Sequence, residues 1–493
     1  MKRCFWIWCL FISVNVLAQN RSNVWMLSYQ HFSDDCGIKF TNGIADTFSV
    51  WKTLDFFATN SSICDTNGNL LFYTNGIWIA NKNNDSLQNT TDFNPGWATD
   101  HYSSQSIGMG TPQGVIILPK PNSDSLFEIF HVSGEPIEDS TQVQPLELRF
   151  SEVDMSIDNS LGAINSGVKN IQLVEDTLVW GRLTACKHAN GRDWWIITHR
   201  WNSTLYYKDL LTPDSIYGPF EQNIGSIISK DDYWGQACFS PDGSKFAYIN
   251  CDYNFDYMEF NRCSGEFFNH INIVFPDSIV SQGLSFSPNS RFIYCNTYTQ
   301  LFQYDTWNTD MSSSIILIDT VALNQPGIEE WFAEQMLAPD SKIYISTYHG
   351  VKGMHVINYP DSLGVACGFT KMGLLLPAYN VHCVPNHPNY DLGPLSGSDC
   401  DTLYLTNTTT VYNFSFSINP NPSSNILNIV YNTTEDCLLT FFDINGKQVA
   451  SISLFHYFKN RLLNVSELPP GVYLAVVSCK GERVWSEKVV VQR

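Results

Sequence analysis

The chain repeats one short pattern: an apolar strand, a tight turn and an aromatic-rich strand. The clearest copies are "CFSPDGSKFAYIN" from Cys238, "SFSPNSRFIYCN" from Ser285 and "LAPDSKIYIST" from Leu337. In such turns Pro presets φ, Asp or Asn bonds back to the following backbone, and Gly takes the left-handed position. A third strand follows each copy, in "YMEFNRC", "QLFQYDTW" and "GMHVINYP", and then a fourth, more polar one. The unit is therefore four antiparallel strands, which make one blade of a β-propeller.

The turn residues set the period of this repeat. Asp242, Asn289 and Asp340 stand 47 and 51 residues apart, as expected of propeller blades. Weaker copies bring the number of units to six, with turns at Asn67-Gly68, Asn122 and Asn190-Gly191. The strands in "NVWMLSY" and "GIKFTNG" lack a unit of their own, and we expect them to join the last strands, after Leu374, and close the ring. The sequence predicts six or seven blades, with seven slightly favoured.

Composition places this all-β chain outside the cytoplasm. Its 493 residues, 44% hydrophobic and 14% aromatic, suffice for a large core and a second domain. Charged residues make up only 15%, against about 25% in an average soluble protein. The 48 acidic and 28 basic residues give a formal charge of -20, which would repel nucleic acid. Nucleic acid is therefore excluded as a partner.

The N-terminus "MKRCFWIWCLFISVNVLAQN" has the pattern of a secretory signal peptide. Lys2 and Arg3 form the basic region, residues 4–16 form the apolar core, and cleavage is expected between Ala18 and Gln19. A membrane anchor is the alternative, but the apolar run is shorter than the roughly 20 residues of a spanning helix. No later segment comes near that length, so we expect no transmembrane span in the mature chain.

The cysteines are compatible with disulfides. Signal cleavage removes Cys4 and Cys9 of the fourteen, and the others enter an oxidising compartment. The connectivity is not fixed by the sequence. Cys437 and Cys479 are the candidates for a bond within the small C-terminal domain.

Several segments carry a family resemblance. They read "HANGRDWWIITHRW", "GQACFSPDGSKFAY", "FNRCSGEF", "LAPDSKIYIS" and "VPNHPNYDLGPLSGSDCDTL". Together they resemble a group of secreted bacterial propellers that end in a type IX secretion sorting domain. That group is related to the quinoprotein-like, lactonase-like and WD-repeat-like propeller class. The resemblance implies the fold and the route of export, but the class includes both enzymes and binding platforms, so it does not imply an activity.

The C-terminal region is predicted to be a small immunoglobulin-like β-sandwich. A Gly-, Ser- and Thr-rich linker precedes it, and Asn445-Gly446 is a strong two-residue hairpin signal. The expected boundaries are 1–18 for the signal peptide, 19–393 for the propeller, 394–413 for the linker and 414–493 for the sandwich. An immunoglobulin-like binding domain would have the same strand pattern.

The motifs of this region resemble the type A sorting domain of type IX secretion. They are "NPNPSSNILNI", "DINGKQV", "LPPGVYLAVV" and the terminal "KVVVQR". The motif residues are Asn419, Pro420, Asn421, Pro422, Asp443, Asn445, Gly446, Lys447, Gly471 and Tyr473. The resemblance implies an address that the type IX machinery reads at the outer membrane and usually removes. We therefore expect a protein that is secreted or attached to the outer cell surface.

Motifs for catalysis are missing from the sequence. It contains no G-x-S-x-G nucleophile elbow, no H-E-x-x-H zinc helix and no Gly-rich phosphate loop. "DTNGN" at Asp65 is similar to the start of a calcium loop, but it lacks the distal Glu and falls where a blade turn is needed. "HCVPNHP", from His382 to Pro388, is interpreted as a rigid closing loop rather than a metal site. We predict no catalytic residue, no metal and no cofactor, with calcium possible but unsupported.

The loops that enter the innermost strands form the candidate binding site, because these strands converge on the central channel. The candidate residues there are Gln105, Lys187, His188, Trp234, Gln236, Gln282, Glu334 and Gln335. One interpretation is that the amides satisfy backbone groups and tie adjacent blades together. The other is a polar, aromatic-rimmed pocket for a sugar or a peptide.

Two functions follow from these interpretations. The first is a non-catalytic platform that binds a glycan, a peptide or a surface protein. The alternative is a lactonase-like hydrolase or lyase, in which Glu334 or His188 acts as acid or base or holds a metal. A convergent pair of ionisable groups in the channel would favour the second function.

A set of Asp-Ser and Asp-Thr pairs resembles the O-glycosylation acceptor motif of bacteria that use type IX secretion. The acceptors are Ser86, Ser125, Ser140, Thr177, Ser215, Ser278, Thr320, Ser362 and Thr402. The alternative is that Asp-Ser simply starts turns well. The sequence thus predicts a glycoprotein, without fixing which sites are used.

Overall fold

The structure is a computed structural model of the chain. It describes residues 20–29, 35–52, 54–104, 107–137, 143–227, 234–251, 254–276, 281–322, 330–401, 415–433, 435–444, 446–479 and 482–492. The chain forms two compact units, residues 1–398 and 399–493. None of the helices in these ranges is long and apolar enough to cross a membrane.

The first unit begins with three antiparallel sheets. The first sheet has β1 Val24–Leu27, β2 Asp35–Thr41 and β3 Ile44–Val50. The second has β4 Ser61–Cys64, β5 Leu70–Thr74 and β6 Ile79–Asn81, followed by helix α1 Trp97–Ser104. The third runs from β7 Val115–Pro119 and β8 Leu126–Val132, past a ribbon of β9 Glu135–Pro136 and β10 Val143–Gln144, to β11 Glu147–Asp154, β12 Ala163–Ile164 and β13 Ile171–Glu175.

Four sheets of four consecutive strands complete the unit. The fourth sheet has β14 Thr184–Lys187, β15 Trp194–His199, β16 Leu205–Leu211 and β17 Ile216–Asn223. The fifth has β18 Ala237–Phe239, β19 Lys245–Asn250, β20 Asn254–Asn261 and β21 Glu266–Val274. The sixth has β22 Ser281–Phe286, β23 Phe292–Thr297, β24 Gln300–Asp305 and β25 Ile316–Thr320. The seventh has β26 Phe332–Leu337, β27 Ile343–Thr347, β28 Val351–Ile357 and β29 Phe369–Asn380. Short 3₁₀ turns occupy Asp158–Ser160, Ser312–Ser314 and Gly364–Cys367.

The sheets are arranged as the blades of a propeller. The first strand of a sheet packs against the first strand of the next, as β1 does with β4, β4 with β7, β14 with β18, β18 with β22 and β22 with β26. β29 of the last sheet contacts β2 and β3 of the first, which closes the ring. Seven sheets of three to five strands within the described residues agree with the favoured count of seven blades.

One expectation about ring closure is wrong. The N-terminal strands do not join the last strands after Leu374, because β2 pairs with both β1 and β3 and the three form a sheet of their own. β29 pairs with β28 within the last blade. The N-terminal strands thus close the ring against the last strand, as expected, with a bond from Tyr29 N to Tyr379 O (3.0 Å), but they do so as a separate blade and not within a shared sheet.

The repeated turns form for the reason that the sequence suggests. In each copy the Asx side chain accepts a bond from the backbone N–H two residues later. Ser244 N donates to Asp242 Oδ1 (2.9 Å), Arg291 N to Asn289 Oδ1 (3.0 Å) and Lys342 N to Asp340 Oδ1 (3.2 Å). The residue after each Asx is left-handed, with φ of 71° at Gly243, 62° at Ser290 and 64° at Ser341. These residues are structural parts of the blades.

The hydrophobic cores lie between neighbouring blades. Aromatic pairs bridge adjacent sheets, with ring centres 5.7 Å apart for Phe72 and Phe127 and 5.2 Å apart for Phe255 and Tyr304. Every residue of β15 is buried, because this strand is covered on both faces. Stability therefore depends on correct spacing of one blade against the next.

Two left-handed glycines offer a test of that spacing. Gly181 has φ of 86°, and an added Cβ would lie 1.8 Å from the carbonyl oxygen of Pro112, whereas Gly43, with φ of 74°, has open space around it. Gly181→Ala should lower the free energy of unfolding by about 3 kcal/mol. The alanine would have a strained left-handed φ, and the Pro112 backbone would have to move away from the new Cβ. Gly43→Ala, the matched control, should cost about 1 kcal/mol. Thermal unfolding of the two variants measures the difference, and equal costs would show that the carbonyl contact is not limiting.

The second unit is a two-sheet sandwich. Its strands are β30 Ser415–Asn419, β31 Ile426–Asn432, β32 Cys437–Phe442, β33 Gln448–Leu454, β34 Asn460–Asn464, β35 Gly471–Cys479 and β36 Glu482–Val491. One sheet has the order β30-β31-β34 and the other β33-β32-β35-β36. Leu427, Leu439 and Val477 belong to a core made entirely within this unit. A disulfide between Cys437 and Cys479 joins β32 to β35, which confirms that predicted pair.

Motif residues of the tail stabilise its turns. Asp443 accepts from Gly446 N through its carbonyl (3.0 Å) and from Lys447 N through Oδ1 (2.9 Å), in the hairpin between β32 and β33. Asn421 donates to Lys488 O (2.7 Å) and accepts from Val490 N, which ties the "NPNP" segment to β36. Asn445 lies outside the described residues. Asp443 and Asn421 of the motif therefore stabilise the sandwich fold.

Candidate functional site

A segment after the last blade runs into the centre of the propeller. Asn386 anchors it: the backbone N donates to Asn60 O (2.8 Å), and Nδ2 donates to Val115 O (2.9 Å) and Leu183 O (2.8 Å). Its Oδ1 accepts from Gln113 Nε2 (3.2 Å). These partners belong to or directly precede the first strands of three consecutive blades. The segment therefore fills the channel axis and links the blades around it.

The "HCVPNHP" stretch is part of this buried segment. His382 Nδ1 lies 3.3 Å from Gln282 Nε2, and His387 Nε2 lies 2.7 Å from Ser62 O. Burial lowers the pKa of both imidazoles to about 4, so both are neutral at pH 7. Each histidine thus has one ring nitrogen engaged by a protein group in the channel.

The channel amides connect neighbouring inner strands. Gln236 Oε1 accepts from Gln335 N (2.8 Å) and Leu284 N (3.1 Å), and its Nε2 donates to Gln335 O (3.2 Å). Gln335 Nε2 in turn donates to Tyr294 O (3.1 Å) and Asn296 Oδ1 (3.0 Å). Both amides are almost completely buried. They satisfy backbone groups that the inner edges of the strands leave open.

The structure divides the predicted site residues between two ends of the channel. β14 ends at Lys187, so Lys187 and His188 lie where inner strands finish, whereas Trp234 precedes β18 and lies where they begin. The expectation that these three share one mouth is therefore wrong. The sequence segments contain both ends of a short inner strand, and the sequence alone does not show which residue lies at which end. Gln105 lies outside the described residues.

The two candidate acid–base residues do not meet. Glu334 is fully buried, burial raises its pKa well above the ordinary value, and its Oε2 accepts from Val384 N at 3.4 Å. His188 Nε2 lies 3.0 Å from Cys263 O, and Asn190 N donates to its Nδ1 (3.2 Å). Neither side chain lines the cavity described below. Within the described residues, the two side chains therefore do not meet in that cavity.

Aromatic side chains gather where the inner strands begin. We call Phe57, Trp234, Tyr348 and His382 the aromatic mouth. The Trp234 ring stacks on His382 with centres 4.8 Å apart, and Tyr348 and Phe57 meet the same imidazole edge-on at 4.4 Å and 5.8 Å. Phe57, Trp234 and Tyr348 are only partly buried. The mouth therefore presents ring faces and edges to solvent around a buried imidazole.

The aromatic surface continues beside Tyr348. Trp331 lies 5.9 Å from Tyr348 and 5.9 Å from Tyr298, and its ring is 5.0 Å from His349. All four of these side chains are half-buried. The surface therefore extends over the start of β26.

A cavity of about 310 Å³ opens at the opposite end, where the inner strands finish. Polar and apolar side chains line it, including Lys187, Gln236, Gln335, Phe239, Phe286 and Leu337. Its size is at the lower end of the range of small-molecule pockets. The channel thus has an aromatic surface at one end and a mixed pocket at the other.

Fold and tail together define the class: an exported β-propeller with a sorting domain. Residues 417–492 match the family of the secretion system C-terminal sorting domain. The match confirms that the tail is a sorting domain, and the chain is a secreted or cell-surface protein exported by type IX secretion. The presence of a sorting domain implies an interaction with that secretion machinery.

Solved structures similar to the chain are distant. A Lactobacillus plantarum protein has 10% identity and a TM-score of 0.38, covering 90% of this chain and 99% of its own. A putative 6-phosphogluconolactonase from Bacteroides uniformis has 12% identity and a TM-score of 0.36, covering 89% and 98%. The periplasmic gluconolactonase PpgL of Pseudomonas aeruginosa has 9% identity and a TM-score of 0.33, covering 95% and 99%. A comparison with curated proteins finds no match. Similarity this low bears on neither ligand nor reaction.

The remaining predicted positions are surface or N-terminal ones. Ser86, Ser215 and Thr320 are exposed, whereas Ser125, Thr177 and Ser362 are half-buried. Outside the described residues lie Ser140, Ser278, Thr402, Ala18 and Gln19. Glycosylation and the signal peptide stay predictions.

The Asp65 turn has a clear structural use. Its Oδ1 accepts from Asn67 N (2.9 Å) and Asn69 N (2.8 Å), and its Oδ2 accepts from Asn69 Nδ2 (3.0 Å). Both carboxylate oxygens thus hold the turn between β4 and β5. This is the hydrogen-bonding pattern of a blade turn.

Proposed function

We propose that the propeller is a non-catalytic platform that binds an extracellular glycan or peptide at the aromatic mouth. The observation that carries the proposal is the stack of Trp234 on His382, with Tyr348 and Phe57 around the same ring. Large, rigid aromatic side chains give much contact area at little cost in conformational entropy, and they dominate binding energy at protein surfaces.

The chemistry of the mouth favours a ligand with apolar faces and polar edges. Sugar rings and peptides with aromatic or Pro side chains have both. The His382 imidazole is neutral at pH 7 because burial lowers its pKa to about 4, so it adds no positive charge. The formal charge of -20 disfavours polyanions. A neutral or cationic ligand therefore fits the mouth.

The lactonase-like alternative has less support. It requires an acid and a base that converge on bound substrate. Glu334 contacts the backbone of Val384, and both ring nitrogens of His188 are within hydrogen-bond distance of backbone atoms. Among the described residues, Glu334 and His188 thus do not form the convergent acid and base that this function needs.

A glycan and peptide array tests the proposal. The secreted chain should retain a discrete set of ligands, and Trp234→Ala should weaken their binding by about thirtyfold, as expected for loss of an aromatic hot spot. Trp307→Ala is the matched control, because Trp307 is 63% exposed and lies after β24, away from the mouth. This control should bind as the unsubstituted chain does.

Thermal unfolding of each variant checks that the propeller remains folded, and Trp234→Phe, which keeps a ring, should retain part of the affinity. Equal binding by Trp234→Ala and the control would exclude the mouth as the site. Ligand that is cleaved on the array, or binding that a chelator abolishes, would contradict a purely binding function.

A further inference from the structure

The cavity where the inner strands finish contains a buried cation that makes no ion pair with a described residue. Lys187 lines this cavity and is only 5% exposed. Its Nζ makes no hydrogen bond or ion pair with a described residue, and it lies 5.2 Å from the centre of the Trp194 ring. A buried ammonium normally has a carboxylate partner, because it has lost water. Asp391 lines the same cavity, but no ion pair joins its carboxylate to Lys187, and this is the observation to explain.

Both apolar and polar side chains line the cavity around Lys187. Phe239, Phe286 and Leu337 contribute apolar surface, and the amides of Gln236 and Gln335 contribute polar surface. The two amides already bond to the blades, as described above, so they are poorly placed to neutralise an anion by themselves. Both amides are neutral, so of these lining groups only the ammonium can neutralise an anionic ligand.

We propose that this cavity is a second binding site, which takes a small carboxylate with an apolar body and pairs its carboxylate with Lys187. The volume of about 310 Å³ suits a molecule of small-metabolite size. The apolar wall takes the body of the ligand, and the ammonium neutralises its head. This site is separate from the aromatic mouth, so each can fail without the other.

The charged groups around Lys187 give the site a pH dependence. Burial lowers the pKa of Lys187 to about 8; the Asp391 carboxylate opposes that shift, and the Arg21 and Arg262 guanidiniums add to it. The ammonium is charged below this pKa, so carboxylate binding should be strong at pH 7 and weaken as pH rises through 8.

Three other lining groups have pKa values outside this window. Burial raises the pKa of Cys186 and of Cys238 to about 12 and lowers that of His387 to about 4. A change in affinity between pH 7 and pH 9 would therefore report on Lys187 and not on these three groups.

Titration calorimetry with two acids and their amides tests the site on the full secreted chain. The probes are phenylacetate with phenylacetamide and hexanoate with hexanamide. At least one acid should bind about tenfold more tightly than its amide at pH 7, the gain expected of a charge-assisted bond. At pH 9 the acid should bind about tenfold more weakly, because most Lys187 is then neutral.

Two variants test whether the charge of Lys187, and not the shape of the cavity, is responsible for carboxylate binding. Lys187→Met keeps the volume and removes the charge, so acid and amide should bind equally to it, while Lys82→Met, at an exposed lysine, should change nothing. If Lys187→Met fails to fold, the pH profile of the unsubstituted chain still decides. The proposal is wrong if neither acid binds at about 10 mM, or if the acid and its amide bind alike at pH 7.

Discussion

A chain that lacks residues 414–493 should accumulate in the periplasm of its native host as a folded propeller, with almost none at the cell surface or in the medium. The reason is that the sorting domain lies in those residues, while the propeller has its own cores. The sandwich core likewise draws only on residues of the tail. Removing the tail therefore removes the address and leaves the propeller blades intact.

Fractionation followed by immunoblotting measures this outcome, with limited proteolysis of the periplasmic material to show that the propeller is folded. The reciprocal control joins residues 414–493 to an unrelated periplasmic reporter, which should then be exported. Normal surface or medium yield of the truncated chain would contradict the role of the tail, even if the reporter were exported.

The blade repeat was predictable because its determinants are local. Asp242, Asn289 and Asp340 each bond to the backbone two residues later, so the turn is encoded within a few residues. The tail was predictable for a similar reason. The Asp443 turn is formed by residues close together in the sequence, and Cys437 and Cys479 lie on adjacent strands of one small domain.

The first blade was missed because it departs from the repeat. Its three strands lack the Pro-Asx turn of the three clearest copies, and its Asn-Gly turn, Asn42 and Gly43 with φ of 53° and 74°, joins the second and third strands of the sheet and not the first and second. The Asn-Gly pair in "FTNG" is a hairpin signal in its own right. Reading that pair as the turn of an independent sheet would have given seven units.

The channel could be predicted only in part. Recurring glutamines indicated its inner strands, but the partners of Gln236 and Gln335 lie on other blades and cannot be read from one strand. Phe57 and Tyr348 were missed, although Phe57 precedes an inner strand just as Trp234 does. The position of Lys187 in a cavity depends on residues 386–392, which line that cavity and have no periodic pattern in the sequence.

Asn386→Leu should be among the most damaging single substitutions in the propeller. Leucine keeps the size of the side chain but removes both donations to Val115 O and Leu183 O and the acceptor for Gln113 Nε2. Gln113 also accepts from Ala237 N (2.8 Å), so the loss reaches a fourth blade. Each buried group left unsatisfied costs about 1–3 kcal/mol, and the variant should lose about 4 kcal/mol of unfolding free energy.

Asn389→Leu is the matched control for that substitution, because Asn389 belongs to the same segment but is exposed. Its side chain donates only to Pro241 O (2.7 Å) and accepts from Asp391 N (3.0 Å). Its cost should be about 1 kcal/mol or less, since water replaces the lost partners. Urea unfolding followed by tryptophan fluorescence compares the two variants, with the sandwich transition as an internal reference. If both variants unfold at the same urea concentration, Asn386 does not hold the ring together, and the hydrophobic contacts between blades suffice for closure.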